Sequence, residues 1–103
     1  DGAEAVSLEL GRKIADGGYA GLILDYRGAD MPKDAPRYRA IAQAFAANFP
    51  RNLLIVLLCD ARTEPLGALM RTLLRGHGLR VARMSDFDEA WVAIAKRINS
   101  PAG

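Results

Sequence analysis

Apolar residues recur along this chain in two kinds of pattern, and the two kinds alternate. In four segments they lie three or four residues apart, as the buried face of an amphipathic helix requires. The most regular of these faces consists of Tyr38, Ile41, Ala42, Phe45, Ala46 and Phe49. The spacing predicts helices over residues 4–16, 36–49, 64–75 and 86–98. In the last helix the expected buried face is Phe87, Trp91, Ile94, Ala95 and Ile98.

Short continuous apolar runs separate these helices and predict three strands. The runs are Gly21–Tyr26, Leu53–Cys59 and Leu79–Met84. The second run is apolar on both faces, which is typical of a central strand covered on both sides. Arg80 and Arg83 interrupt the third run, which favours a position at the edge of the sheet. The predicted fold class is α/β, with the order α-β-α-β-α-β-α and a small, mostly parallel sheet of three or four strands.

Two of the predicted helices begin next to hydroxyl side chains suited to capping. Thr63 precedes Glu64 and the first-turn proline Pro65, so we expect its hydroxyl to cap the third helix. Ser85 precedes an acidic first turn, so we expect it to cap the fourth. Residues 27–35, rich in Gly, Asp and Pro, predict a loop.

The composition indicates one small globular domain spanning residues 1–103. Half of the residues are apolar and a quarter are charged, and the net charge of +2 is too small to argue for nucleic-acid binding. The one cysteine, Cys59, lies in an apolar run, so we expect a buried free thiol and a reducing compartment. No apolar run is long enough to span a bilayer, and no signal peptide is evident, so we expect a cytoplasmic protein. The chain starts at Asp1 rather than Met, which indicates a fragment or a processed product.

Three stretches of the chain resemble the STAS domain of anti-sigma-factor antagonists and sulfate transporters. They are Gly21–Asp25, Leu53–Cys59 together with Leu69–Leu79, and Phe87–Trp91. The resemblance implies a non-enzymatic regulatory module, bacterial in type, that binds a protein partner or senses a small ligand. It also implies a partner surface at the loop Arg27–Ala35 and the start of the second helix.

The chain departs from the STAS pattern in two places. That family begins with two further strands before its first helix, so either these strands are missing here or the domain differs. The phosphorylated serine of the family lies at the start of the helix that follows the Asp-bearing strand. The segment Arg27–Pro36 has no Ser or Thr, so the phosphorylation switch is not carried over.

Polar residues follow the strands at the edge where parallel sheets bind ligands. The candidate binding residues are Asp25, Arg27, Asp30, Asp60 and Arg62, with Ser85 and Asp86 beside them. Two carboxylates and two guanidiniums could form an anion site, a metal site or a general acid–base pair. The alternative function is therefore a small enzyme or anion-binding domain. Surface ion pairs and helix caps would produce the same pattern.

Other candidate chemistry favours structural interpretations. A response-regulator receiver needs acids clustered around Mg²⁺ and a Lys after a late strand, but the first strand offers one Asp rather than an adjacent pair and no Lys directly follows Leu79–Met84. No phosphate-binding loop appears either. His77 has no second ligand nearby in sequence, and Cys59 has no evident base. The basic residues Arg71, Arg75, His77, Arg80 and Arg83 have no interleaved aromatics. We expect no catalytic residues, metal or cofactor, and no nucleic-acid partner. We expect a protein partner or a homodimer, formed by pairing of the first or the third strand with a second copy.

Overall fold

The computed structural model describes residues 2–28 and 35–98, and these residues form four helices and three strands. The helices are α1 (Gly2–Gly17), α2 (Ala35–Asn48), α3 (Glu64–Gly76) and α4 (Phe87–Ile98). The strands are β1 (Gly21–Asp25), β2 (Leu54–Leu58) and β3 (Arg80–Met84). The predicted α/β class and element order are confirmed. None of the helices in the described residues is long and apolar enough to cross a bilayer.

The three strands form one parallel sheet in the order β1-β2-β3. Val56, in the middle of β2, is in register with Ile23 on one side and Ala82 on the other. The hydrogen bonding continues past the strands, because the Cys59 N–H donates to the Met84 carbonyl oxygen at 3.0 Å. The predicted central position of the second strand and the edge position of the third are both confirmed.

The two faces of the sheet are covered unequally. On one face Ile55 and Leu57 pack beneath α2 and α3, and α1 lies against α2. On the other face Val56 and Leu58 pack against Ala90 and Ile94 of α4. Of the residues that the structure describes, α4 is the one helix on this second face. The larger core therefore lies on the side of α2 and α3.

Two glycines allow elements of the larger core to approach closely. A Cβ at Gly11 in α1 would overlap the backbone carbonyl of Asn48, at the end of α2. A Cβ at Gly67 in α3 would overlap the Sγ atom of Cys59, which follows β2. The α1–α2 and α3–β2 contacts therefore depend on the absence of a side chain at these positions.

The predicted buried face of α4 is wrong in part. Ala90 and Ile94 are buried, but Phe87 is 47% exposed and Trp91 is 61% exposed. With no second described helix beside α4, the sheet covers the residues directly above β2 and leaves the flanks of the helix open. Ala95 is partly exposed, and the side chain of Ile98 lies outside the described residues.

Both predicted helix caps are also wrong. The hydroxyl of Thr63 makes no capping hydrogen bond to α3, and its side chain is buried instead. At α4 the cap is Asp86 rather than Ser85, because Oδ1 of Asp86 accepts the N–H of Asp88 at 3.2 Å. A carboxylate one residue later performs the function that we assigned to the serine hydroxyl.

Candidate functional site

Asp25 and Arg27, at the carboxyl end of β1, form a local ion pair. Nε and Nη2 of Arg27 donate to the two carboxylate oxygens of Asp25, each at 3.0 Å, and the Arg27 backbone N–H donates to Oδ1 at 3.0 Å. The hydrogen bonds from Arg27 hold the pKa of Asp25 below its ordinary value. Both groups are exposed, so solvent screens the pair and its contribution to stability is small.

Asp60, at the carboxyl end of β2, binds backbone N–H groups from two loops. Oδ2 accepts the N–H of Gly28 at 2.7 Å, across from the loop that follows β1. Oδ1 accepts the N–H groups of Arg62 at 3.0 Å and Thr63 at 2.9 Å, and the Thr63 hydroxyl at 3.1 Å. These donors, the Gly28 N–H first among them, lower the pKa of Asp60 to about 2. Asp60 therefore ties together the loops that follow β1 and β2.

The structure brings together most of the predicted polar edge, in a different arrangement from the one expected. Asp25, Arg27, Asp60 and Asp86 lie close enough for their charges to influence one another. Arg62 takes part through its backbone N–H. Asp30 lies outside the described residues, as does most of the loop that we expected to be a partner surface.

The chemistry available at this edge is limited by the hydrogen bonds of its carboxylates. A general base that works near neutral pH needs a pKa near that pH. The pKa values of Asp25 and Asp60 are shifted in the opposite direction. Within the described residues, no group of three His, Cys, Asp or Glu side chains is placed to hold a metal ion. The geometry is that of an anchor for loops.

Removing the charge of Asp60 is expected to flatten the acid side of the stability profile. The folded-state pKa of about 2 lies below the ordinary value of 3.8, so the ionised carboxylate stabilises the fold above about pH 4, and this stabilisation is lost as the pH falls toward 2. Urea unfolding of Asp60→Asn, measured from pH 7 to pH 2, should show a lower midpoint at neutral pH and a weaker dependence on acid than the unsubstituted chain.

Asp25→Asn is the matched comparison for this experiment, because the hydrogen bonds to its carboxylate come from Arg27, two residues later in the chain. Its effect should be smaller than that of Asp60→Asn. Equal acid profiles for Asp60→Asn and the unsubstituted chain would contradict an anchoring role.

A second feature is the outer edge of β1, one of the strand edges at which the sequence led us to expect pairing with a second copy. The Ala20 carbonyl accepts the N–H of Leu54 at 3.0 Å, and the Tyr26 N–H donates to the Leu58 carbonyl at 2.8 Å. Because successive residues of a strand direct their backbone groups to opposite sides, Ile23 and its neighbours at positions 21 and 25 direct theirs away from β2. None of the described residues forms a strand beside this edge.

An apolar groove follows this edge between α1 and α4. Its volume is about 640 Å³. At its rim Tyr19 is 64% exposed and Trp91 is 61% exposed. The groove is lined by Leu10, Lys13, Ile14, Asp16, Tyr19, Ala20, Gly21, Leu22, Ile23, Trp91 and Ile94. The helical spacing predicted Trp91 as part of the core, so the groove was not expected from the sequence. The signal that could have indicated it was a first strand that is apolar up to Asp25 and lies at one edge of the sheet.

Three other titratable side chains lie away from the polar edge and the groove or take no part in them. Cys59 is buried, as predicted, and burial raises the pKa of its thiol. His77 is exposed just after α3, where its carbonyl oxygen accepts a hydrogen bond from Arg51 at 3.0 Å. Tyr26 is partly buried against the larger core, and desolvation raises its pKa to about 12.

Comparisons with protein-family models, with curated proteins and with solved structures found no match to this chain.

Proposed function

We propose that this chain is a non-enzymatic regulatory module, of the kind that the resemblance to STAS domains implies, and that it binds a protein partner at the outer edge of β1. The observation that carries the proposal is the apolar groove along that edge. Proteins that add a strand to a sheet gain affinity from main-chain hydrogen bonds and specificity from side-chain pockets. The β1 edge offers both kinds of contact.

The polar edge supports binding over catalysis. A small enzyme that used Asp25, Arg27, Asp60 and Arg62 would need a carboxylate able to take up a proton near neutral pH. Both carboxylates have lowered pKa values, and Asp60 is occupied with backbone N–H groups. A free, buried Cys59 favours a reducing compartment, and we place the module in the cytoplasm on that basis.

Site-specific photo-cross-linking tests where the partner binds. The photoreactive amino acid p-benzoylphenylalanine is introduced in place of Tyr19, at the rim of the groove, and the chain is irradiated in the cells that naturally produce it. The matched control carries the same group in place of Val92, which is 50% exposed on α4 and lines a different hollow, beside β3. We expect a protein adduct from position 19 and none from position 92.

The added substitution Trp91→Glu should abolish the adduct at position 19, because it puts a charge at the rim of the apolar groove. Equal adducts from positions 19 and 92, or no adduct at position 19, would contradict the proposal. Native mass spectrometry of the purified chain tests for a small apolar ligand in the groove. A bound molecule that is lost in Trp91→Glu would show that the groove senses a ligand and does not bind a protein partner.

A further inference from the structure

The two edges of the sheet differ in how they are protected against pairing. On β3 the side chain of Arg80 is exposed, and Arg83 pairs with Glu64 at 2.9 Å. Charged side chains on an edge strand discourage other strands from adding to it. On β1 the residues before Asp25 are glycine, leucine, isoleucine and leucine, with no charge. Each chain therefore has one unprotected edge in the described sheet.

A two-fold pairing of this edge with itself is geometrically consistent. The backbone groups that point outward belong to Gly21, Ile23 and Asp25, a set that is symmetric about Ile23. If Ile23 lies opposite its counterpart in an antiparallel pair, the two residues exchange both N–H···O bonds. Gly21 of each copy then lies opposite Asp25 of the other, and two more bonds can form at each of these two pairs. Every outward backbone group of β1 is satisfied in this register.

The charges at the two ends of β1 do not oppose pairing in the same register, because each end carries one cation and one anion. Beside Gly21 the groove is lined by Lys13 and Asp16. The other end carries Asp25 and Arg27. Antiparallel pairing sets the first end of one copy against the second end of the other, so each contact combines two cations with two anions. The strand between these ends is uncharged, which suits an equally uncharged strand better than a charged peptide.

We infer that the partner bound at the β1 edge is a second copy of this chain. The two three-stranded sheets then form one continuous sheet, with the two β1 strands paired antiparallel at its centre. The inference rests on the proposed function, which assigns binding to this edge. The dimer is closed, because the protected β3 strands become its outer edges and the described strands leave no unprotected edge for further growth. Ile23 and Trp91 lie on the face of the sheet that α4 covers, so the two Trp91 side chains lie near the two-fold axis.

Sedimentation and light scattering of the purified chain test the dimer. We expect a mass of twice 11.1 kDa. Trp91→Glu places two like charges near the axis and should weaken the dimer at least about tenfold, because like charges that meet across an interface are strongly unfavourable. Val92→Glu, on the same helix but outside the groove, should leave the dimer intact. An equal mixture of Trp91→Glu and Trp91→Lys should recover the dimer mass. Trp91 is the one tryptophan of the chain, so its emission should also shift to shorter wavelength as the protein concentration rises.

The possible outcomes separate this inference from the proposed function. A chain that is monomeric at every concentration, but that cross-links to another protein through position 19, overturns the dimer and leaves the proposed function standing. If Trp91→Glu does not weaken the dimer, the dimer forms through a surface other than the β1 edge, and the inference is overturned. A dimer that Trp91→Glu disrupts and the Glu–Lys mixture restores supports both.

Discussion

Leu57→Ala is expected to lower the free energy of unfolding by about 4 kcal/mol, and Leu58→Ala by about 2 kcal/mol. The two leucines are neighbours on the central strand and are both fully buried, so they differ chiefly in what covers them. Leu57 lies in the larger core beneath α2 and α3. Leu58 lies beneath α4.

The difference follows from how well each site can contract around the lost side chain. The cost of a large-to-small substitution rises with the volume of the cavity that remains. Helices α2 and α3 support each other, so little can move into the space left by Leu57. Helix α4 has open flanks at Trp91 and Val92, so it can settle toward the sheet when Leu58 is shortened.

Urea unfolding followed by circular dichroism measures both losses. Each variant should keep the denaturant dependence of the unsubstituted chain, so that the midpoint shift reports stability. Equal losses, or a larger loss for Leu58→Ala, would show that α4 is held as firmly as the helices on the opposite face.

Gly67→Ala is expected to lower the free energy of unfolding by about 2 kcal/mol. Alanine is the better helix former by about 1 kcal/mol, so propensity alone predicts the opposite sign. The added methyl group would overlap the Sγ atom of Cys59, so either the Cys59 side chain or α3 must shift within a close-packed core. Overpacking of this kind strains a close-packed core.

A second substitution at the point of overlap tests this explanation. Cys59→Ala removes the sulfur, so the double variant should be more stable than the sum of the two single effects predicts, with a coupling of at least about 1 kcal/mol. Gly76→Ala is the control on the same helix, because a Cβ there meets nothing within 4 Å and a small gain is expected. A Gly67→Ala chain that Cys59→Ala does not rescue would rule out the sulfur as the cause.

The element order and the sheet were predictable because periodicity and strand composition depend on local sequence. The run Leu53–Cys59 is apolar on both faces, and only a central strand requires that pattern. Arg80 and Arg83 identified β3 as an edge in the same way. The apolar residues of β1 give no comparable sign of an edge, because the same pattern is expected whether or not another strand pairs with β1.

The exposed side of α4 could not be predicted for a related reason. Helical spacing shows that Trp91 and Ile94 are close to one face, but it does not show how wide the covering surface is. Ile94 is buried against the sheet, while Trp91 is left exposed in the groove beside β1. Residues that share a predicted face are therefore buried to different degrees.

At the polar edge the sequence predicted where Asp25 and Asp60 lie but not what they bind. Their positions follow from strand ends, which are local. The contact between Gly28 and the Asp60 carboxylate joins residues far apart in sequence and depends on how two loops meet. Thr63, three residues after Asp60 in the same loop, bonds to the Asp60 carboxylate instead of capping α3.

The sheet order, which follows the chain, has a consequence for synthesis on the ribosome. Each strand of the sheet pairs with the strand that precedes it in the chain. Of the three strands, β1 therefore leaves the ribosome first and stays unpaired until β2 has been translated. At roughly 5–20 residues per second this wait lasts a few seconds. In the folded domain, no strand of the described residues covers the other edge of β1. A strand that is apolar up to its last residue and exposed through both stages is where a nascent chain is most prone to mispair, and where a chaperone that shields extended apolar segments would act.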